Sequence, residues 1–194
     1  MRRVRVAADD PEVELVLAAQ RGDRAAFAAL AELHGPRLTR FLVTMTGDEH
    51  IADDVRQQTL AQAMTALPSL REPARFPNWL LSIACNACRK RLRSDVQRAH
   101  AGDDVLAEVA ENRRSALSSI VRREDATRLA LAIDRLPILL REAFVLFAVE
   151  GLAYAAIAAI TEVSEGTLQV RVHRGKALLR QQLGTVVDTW WSRG

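Results

Sequence analysis

Apolar residues recur along this chain at spacings of three and four, in runs bounded by residues that start or stop helices. Asp10-Pro11 supplies an acidic cap followed by a proline at the first helical position, and Leu15, Val16 and Ala19 follow at core spacing. Gly22 stops that helix and Asp23 caps the next, whose apolar stripe is Phe27, Leu30 and Leu33. Gly35-Pro36 is expected to close it. Leu38, Phe41, Leu42 and Met45 form a third stripe ended by Gly47. Asp48 opens a longer helix with Ile51, Val55, Leu60, Met64 and Leu67 facing inward, and Pro68 ends it. Residues 68–75 read as a loop, after which Phe76, Leu80, Ile83 and Ala87 recur at helical spacing with Trp79 and Ala84 alongside.

The second half repeats this style after a break. Residues 99–122 show weak apolar periodicity and alternating charge runs, and read as a linker. Leu129, Ile133 and Leu136 form one stripe, Pro137 opens the next helix, and Phe144, Val145 and Ala148 carry it to Gly151. A short helix is expected over 153–160, then a break at 161–163, then Ser164 as a cap for a last helix from Glu165 to about Leu183. The predicted class is all-α: two small helical domains on a flexible linker. Their expected bounds are 10–98 and 123–185, with the linker at 99–122 and a tail at 186–194 that carries Trp190-Trp191.

Composition supports the helical reading, because alanine is abundant and aromatic residues are only 5%. Net charge is +3 and the pI about 9.4. The distribution says more than the total. Arg89, Lys90, Arg91, Arg93 and Arg98 face only Asp95 in one stretch, and Arg171, Arg174, Lys176 and Arg180 face only Glu165 in another. Asp103, Asp104, Glu108 and Glu111 lie between them. Two basic patches with an acidic spacer point to two polyanion contacts, with solvated helix faces as the plain alternative. No apolar stretch approaches membrane-spanning length and none follows the basic start, so a soluble, cytoplasmic protein without membrane insertion is expected. Cys85 and Cys88 sit inside a helical pattern with no second pair, and are expected to pack in the core rather than serve redox or zinc chemistry. No phosphate-binding glycine loop or nucleophile-histidine constellation is present, so the chain reads as a non-enzyme with no catalytic residues, metal or cofactor.

Residues 152–183 have the layout of a helix-turn-helix. On the second helix, Leu168, Val172 and Leu179 fall within about 40° of one another. Thr167, Val170, Arg174 and Ala177 fall on the other side, flanked by Arg171 and His173. Such a helix fits the major groove, where Arg174 can meet a guanine edge or a phosphate and Val170 a thymine methyl. Arg171, Lys176 and Arg180 are expected on phosphates, giving affinity rather than sequence choice. An ordinary helical hairpin with a basic face is the alternative.

The order of these features resembles the extracytoplasmic-function (ECF) sigma factors of bacterial RNA polymerase, over residues 12 to about 183. The resemblance rests on Ala19-Gln20-Arg21-Gly22-Asp23 with Ala26-Phe27, and on Ala52-Asp53-Asp54-Val55-Arg56-Gln57-Gln58-Thr59. It continues through Phe76-Pro77-Asn78-Trp79-Leu80 with Ile83-Ala84-Cys85-Asn86, and Leu136-Pro137 through Arg141-Glu142-Ala143-Phe144. It ends on Gly166-Thr167 through Arg171-Val172-His173-Arg174, with Leu178-Leu179-Arg180.

The resemblance implies core-polymerase docking by Asp53, Asp54, Arg56, Gln57 and Gln58. It implies that the loop from Pro68 to Arg75 holds an unstacked base of the −10 promoter element, with contacts from Leu70, Arg71 and Arg75. Asn86, Arg89, Lys90 and Arg93 then track the adjacent DNA, while Trp79 is expected in the core. It implies −35 element recognition by Ser164, Thr167, Val170, Arg171, His173, Arg174, Lys176 and Arg180, and an anti-sigma factor as a further partner besides core polymerase and promoter DNA. Glu162 stands where the family's turn usually carries glycine, and Ala155-Ala156 where its short helix has an acidic pair. Gln169 and Val170 replace a basic and a small polar residue. The rival readings are a stand-alone helix-turn-helix regulator and a sigma-like mimic that binds regulatory proteins without promoter activity.

Overall fold

In the computed structural model, residues 10–100 and 123–184 are described, and all their regular structure is helical. Four helices form the first module: α1 (Pro11–Gln20), α2 (Arg24–Thr46), α3 (Glu49–Ala66) and α4 (Phe76–His100). Four form the second: α5 (Arg123–Asp134), α6 (Ile138–Phe144), α7 (Tyr154–Thr161) and α8 (Glu165–Leu183). The expected linker and the Trp190-Trp191 tail lie outside the described residues, apart from the first two linker positions at the end of α4.

Helix starts follow the sequence closely, because capping is local chemistry. Asp10 accepts from the Glu12 N–H at 3.0 Å, Asp23 from Ala25 at 2.8 Å and Asp48 from Ile51 at 2.9 Å. Each cap satisfies a donor that the helix cannot pair internally, and contributes about 1 kcal/mol. Gly47 closes α2 in the left-handed conformation, at φ 69°.

Gly35-Pro36 does not break the chain as expected: α2 runs unbroken through it. An interior proline costs roughly 3 kcal/mol. Leu30 on one side and Leu38, Phe41 and Leu42 on the other are all essentially fully buried on one face. Each such side chain returns about 1.5–3 kcal/mol, which keeps the helix continuous. Continuity also moves Leu33, which was expected inside, about 100° round from the buried stripe, where it is 56% exposed. Met64 is corrected in the same way: the inward face of α3 is Ile51, Ala52, Val55, Thr59 and Ala63, and Met64 lies outside it.

In the second module, Val145–Val149 is a π turn closed by the Glu150 N–H on the Val145 carbonyl at 2.9 Å. Its extra residue rotates the register, so Val145 and Leu146 are buried while Ala148, expected in the stripe, is exposed. The modules pack together, with α4 on α7 and α2 on α5 and the π turn. Residues from both belong to one continuous hydrophobic core.

Candidate polymerase and nucleic-acid interface

The residues expected to dock polymerase sit on α3 with the facing that helical spacing demands. Ala52 and Val55 are buried, which turns Asp53, Asp54, Gln57 and Gln58 outward, with Arg56 half-buried. Asp53 accepts from Arg56 Nη2 at 2.6 Å and Gln57 Nε2 at 2.8 Å, and these bonds hold its carboxyl below the usual range. Asp54 lies 3.8 Å from Arg91 Nη1 of α4, joining this face to the start of the basic stretch.

The segment expected as a loop is two short 3-10 turns, Leu67–Ser69 and Pro73–Arg75, around an extended Leu70. Arg71 and Arg75 are exposed, and Arg75 pairs with Glu72 at 2.7 Å. Leu70 is half-buried against the core. A residue that sequence reasoning gave no role fixes this shape. Gln20, in the last turn of α1, donates from Nε2 to the carbonyls of Leu67 at 3.1 Å and Leu70 at 2.7 Å. The only signal in the sequence was an amide two residues before Gly22. Phe76 and Trp79 pack with ring centroids 5.9 Å apart, which places Trp79 in packing as expected.

Beyond that loop, Asn86, Lys90 and Arg93 are exposed on α4 and line one open cleft with Arg89 and Ser94. Arg89 Nη2 donates to Asn86 Oδ1 at 2.6 Å. Its Nε lies 3.3 Å from Glu142 Oε1 of the second module, and that carboxylate is 2% exposed. Burial pushes the Glu142 carboxyl up, while Arg89, the Cys85 thiol, Arg171 and Arg93 pull it back. The same burial raises both thiols, Cys88 to about 12, so they sit as protonated packing groups.

The helix-turn-helix closes through Glu162 at φ 58°, ψ 33°, the left-handed geometry glycine would supply. Ser164 then caps α8, accepting from the Thr167 N–H at 3.4 Å. Leu168, Val172, Gly175 and Leu179 are the buried face of α8. Thr167, Val170, His173, Arg174 and Arg180 are exposed, Val170 by 50%. Two residues expected on phosphates also have neighbours within the protein. Arg171 is half-buried and acts on Glu142. Lys176 lies 5.0 Å over the Phe147 ring, which stacks on Tyr154. Among the described residues, no cluster of ligands could hold a metal, and no helix is long and apolar enough to cross a membrane.

Fold and site together define an all-helical protein of two modules, the second a helix-turn-helix. The family model for Sigma-70 region 2 matches residues 30–98, and that for Sigma-70, region 4, matches residues 126–179. The chain belongs to the sigma-70 family, in its ECF group. It is 34% identical to RNA polymerase sigma factor CarQ of Myxococcus xanthus, over 84% of this chain and 92% of that one. It is 30% identical to the RNA polymerase sigma-H factor of Pseudomonas aeruginosa, over 90% and 94%. Among solved structures it resembles CnrH in complex with the cytosolic domain of CnrY, with a TM-score of 0.65 at 26% identity, over 90% of this chain and 97% of that one.

Proposed function

We propose that this sigma factor carries core polymerase to promoters by docking through α3, holding the −10 element with the 68–75 loop and α4, and reading the −35 element with α8. The observation that carries this reading is the division of α8. Leu168, Val172 and Leu179 are committed to the module's core, while Thr167, Val170, His173 and Arg174 are exposed on the outward side, at the point where a helix-turn-helix enters the major groove. Such a face has no packing role to explain it. The 68–75 loop supports the −10 assignment, because Gln20 holds it in shape from behind while Arg71 and Arg75 remain exposed. The working place is the cytoplasm, where polymerase and DNA are. The likeness to CnrH, solved with the cytosolic domain of CnrY, supports an anti-sigma factor as a further partner.

In vitro transcription with purified core polymerase tests the reading. Transcript should start at defined promoters only when the protein is added. Polymerase binding without initiation favours a sigma-like mimic, and DNA binding without polymerase favours a stand-alone regulator.

A further inference from the structure

Among the described residues, Leu33, Met64, Val149 and Val170 are the large apolar side chains left exposed, and of these Val170, at 50%, lies on α8. At 100° per residue it stands about 170° from the middle of the buried face formed by Leu168, Val172, Gly175 and Leu179. It is the sixth residue of α8, inside the N-terminal stretch through which a helix-turn-helix meets base edges. His173 and Arg174 are exposed on either side of it, about 60° and 40° away round the helix. Thr167, one turn earlier, has its hydroxyl oxygen 2.9 Å from that of Ser164, within the cap. The side chain that projects most directly away from the core is therefore apolar, and polar groups flank it.

That placement constrains what α8 recognises. With the outward side of α8 in the major groove, Val170 meets the groove floor, while Arg174 and His173 meet its sides. An isopropyl group neither donates nor accepts a hydrogen bond. Set against a purine N7, a keto oxygen or an amino group, it strips water from a polar atom and returns no bond, which costs free energy. The C5-methyl of thymine is the apolar group on that floor. Contact between the two removes apolar surface of both from water. Cytosine carries only hydrogen at that carbon and offers less.

We propose that Val170 reads the C5-methyl group of a thymine, so that this protein selects −35 elements with a thymine at the place facing that side chain. The assignment rests on the −35 reading of α8 proposed above and goes further by naming the base and the group recognised. Arg174 then contributes hydrogen bonds to a neighbouring position, and the two residues read different base pairs.

The test is made with holoenzyme, the full chain bound to core polymerase. Promoter fragments with a randomised −35 element are selected by binding, and each thymine of the enriched element, on either strand, is then replaced singly by deoxyuridine. Uracil pairs with adenine as thymine does and lacks only the methyl group. The enriched elements should share a thymine whose replacement weakens binding about fourfold, the ratio that corresponds to burying one methyl group. Val170→Ser should bind the thymine and uracil forms of that element alike, with its helical circular dichroism unchanged, because valine and serine have about equal helix propensity. If that variant unfolds, Val170→Gln takes its place, glutamine being the stronger helix former. Elements without a shared thymine, or binding indifferent to every uracil, overturn the assignment and leave the −35 reading standing. A uracil effect that persists undiminished in the Val170 variant places methyl recognition elsewhere and overturns it as well. Holoenzyme that binds the fragments and enriches no −35 sequence overturns the −35 reading itself.

Discussion

Glu142 Oε1 stands 3.3 Å from Arg89 Nε, so a carboxylate of the helix-turn-helix module is buried against a guanidinium from the basic helix of the other module. Burial raises this carboxyl more than Arg89 and the Cys85 thiol lower it. Its folded pKa therefore lies above the unfolded value. Its stabilising contribution is complete below the unfolded carboxylate pKa and is lost as pH rises through the raised folded value. Glu142→Gln removes that loss. The melting temperature of the variant relative to wild type should rise between acid and mildly alkaline pH, measured by calorimetry. A difference that stays flat with pH would show that burial does not dominate at this carboxyl.

Glu162 occupies left-handed backbone that costs a side chain roughly 1–2 kcal/mol and glycine nothing. Glu162→Gly should stabilise the protein by about 1 kcal/mol, a rise of roughly 2–4 °C in melting temperature for a chain of this size. Urea melts give the same quantity. A destabilised variant would mean that the Glu162 side chain holds the turn.

Gln20 braces two carbonyls of the 67–70 turn. Gln20→Ala should cost about 1–2 kcal/mol of stability for the lost pair of bonds. It should also slow promoter opening, leaving binding to a −35 fragment unchanged. Permanganate footprinting on a −10 element, set beside titration on the −35 fragment, separates the two effects. Equal loss on both fragments contradicts the bracing role.

Asp53, Asp54 and Gln57 are exposed; Asp53 and Gln57 bond within their own helix, and Asp54 makes a surface contact with Arg91 of α4, so core packing does not require them. Replacing all three with alanine should change stability by no more than about 0.5 kcal/mol per site and weaken capture of core polymerase. An undiminished pull-down removes α3 from the docking surface.

Arg174 is exposed on α8 away from Leu168, Val172 and Leu179. Arg174→Ala should lose about 1–3 kcal/mol of discrimination between matched and scrambled −35 DNA with an unchanged melting temperature. Arg180→Ala should weaken both DNAs alike and flatten the salt dependence by about one unit of slope. Titrations of holoenzyme at several salt concentrations distinguish them. Wild-type discrimination by Arg174→Ala would place base reading elsewhere.

Local chemistry carried much of this protein. The caps at Asp10, Asp23, Asp48 and Ser164, the stop at Gly47 and the buried stripe of α8 all depend on residues within a turn or two of one another, and each is written in the sequence. The outward residues of α3 and α8 were legible for the same reason: helical spacing assigns a face once one side is apolar. The family resemblance was likewise a matter of order along the chain.

Tertiary packing decided the rest. Pro36 reads as a stop because its cost is local, while the burial that overrides it is shared with α1, α3 and α4. The π turn at Val145 shifts a face by one residue, which periodicity alone does not reveal. Lys176 and Arg171 look like any basic residues on an exposed helix until Phe147 and Glu142 are placed beside them. The contacts of Arg37 with Glu150 and of Arg141 with Met45 join residues 113 and 96 positions apart. No pattern within one helix encodes such a pairing. It exists only because apolar faces from both halves of the chain meet, and burial there makes each charge depend on its partner.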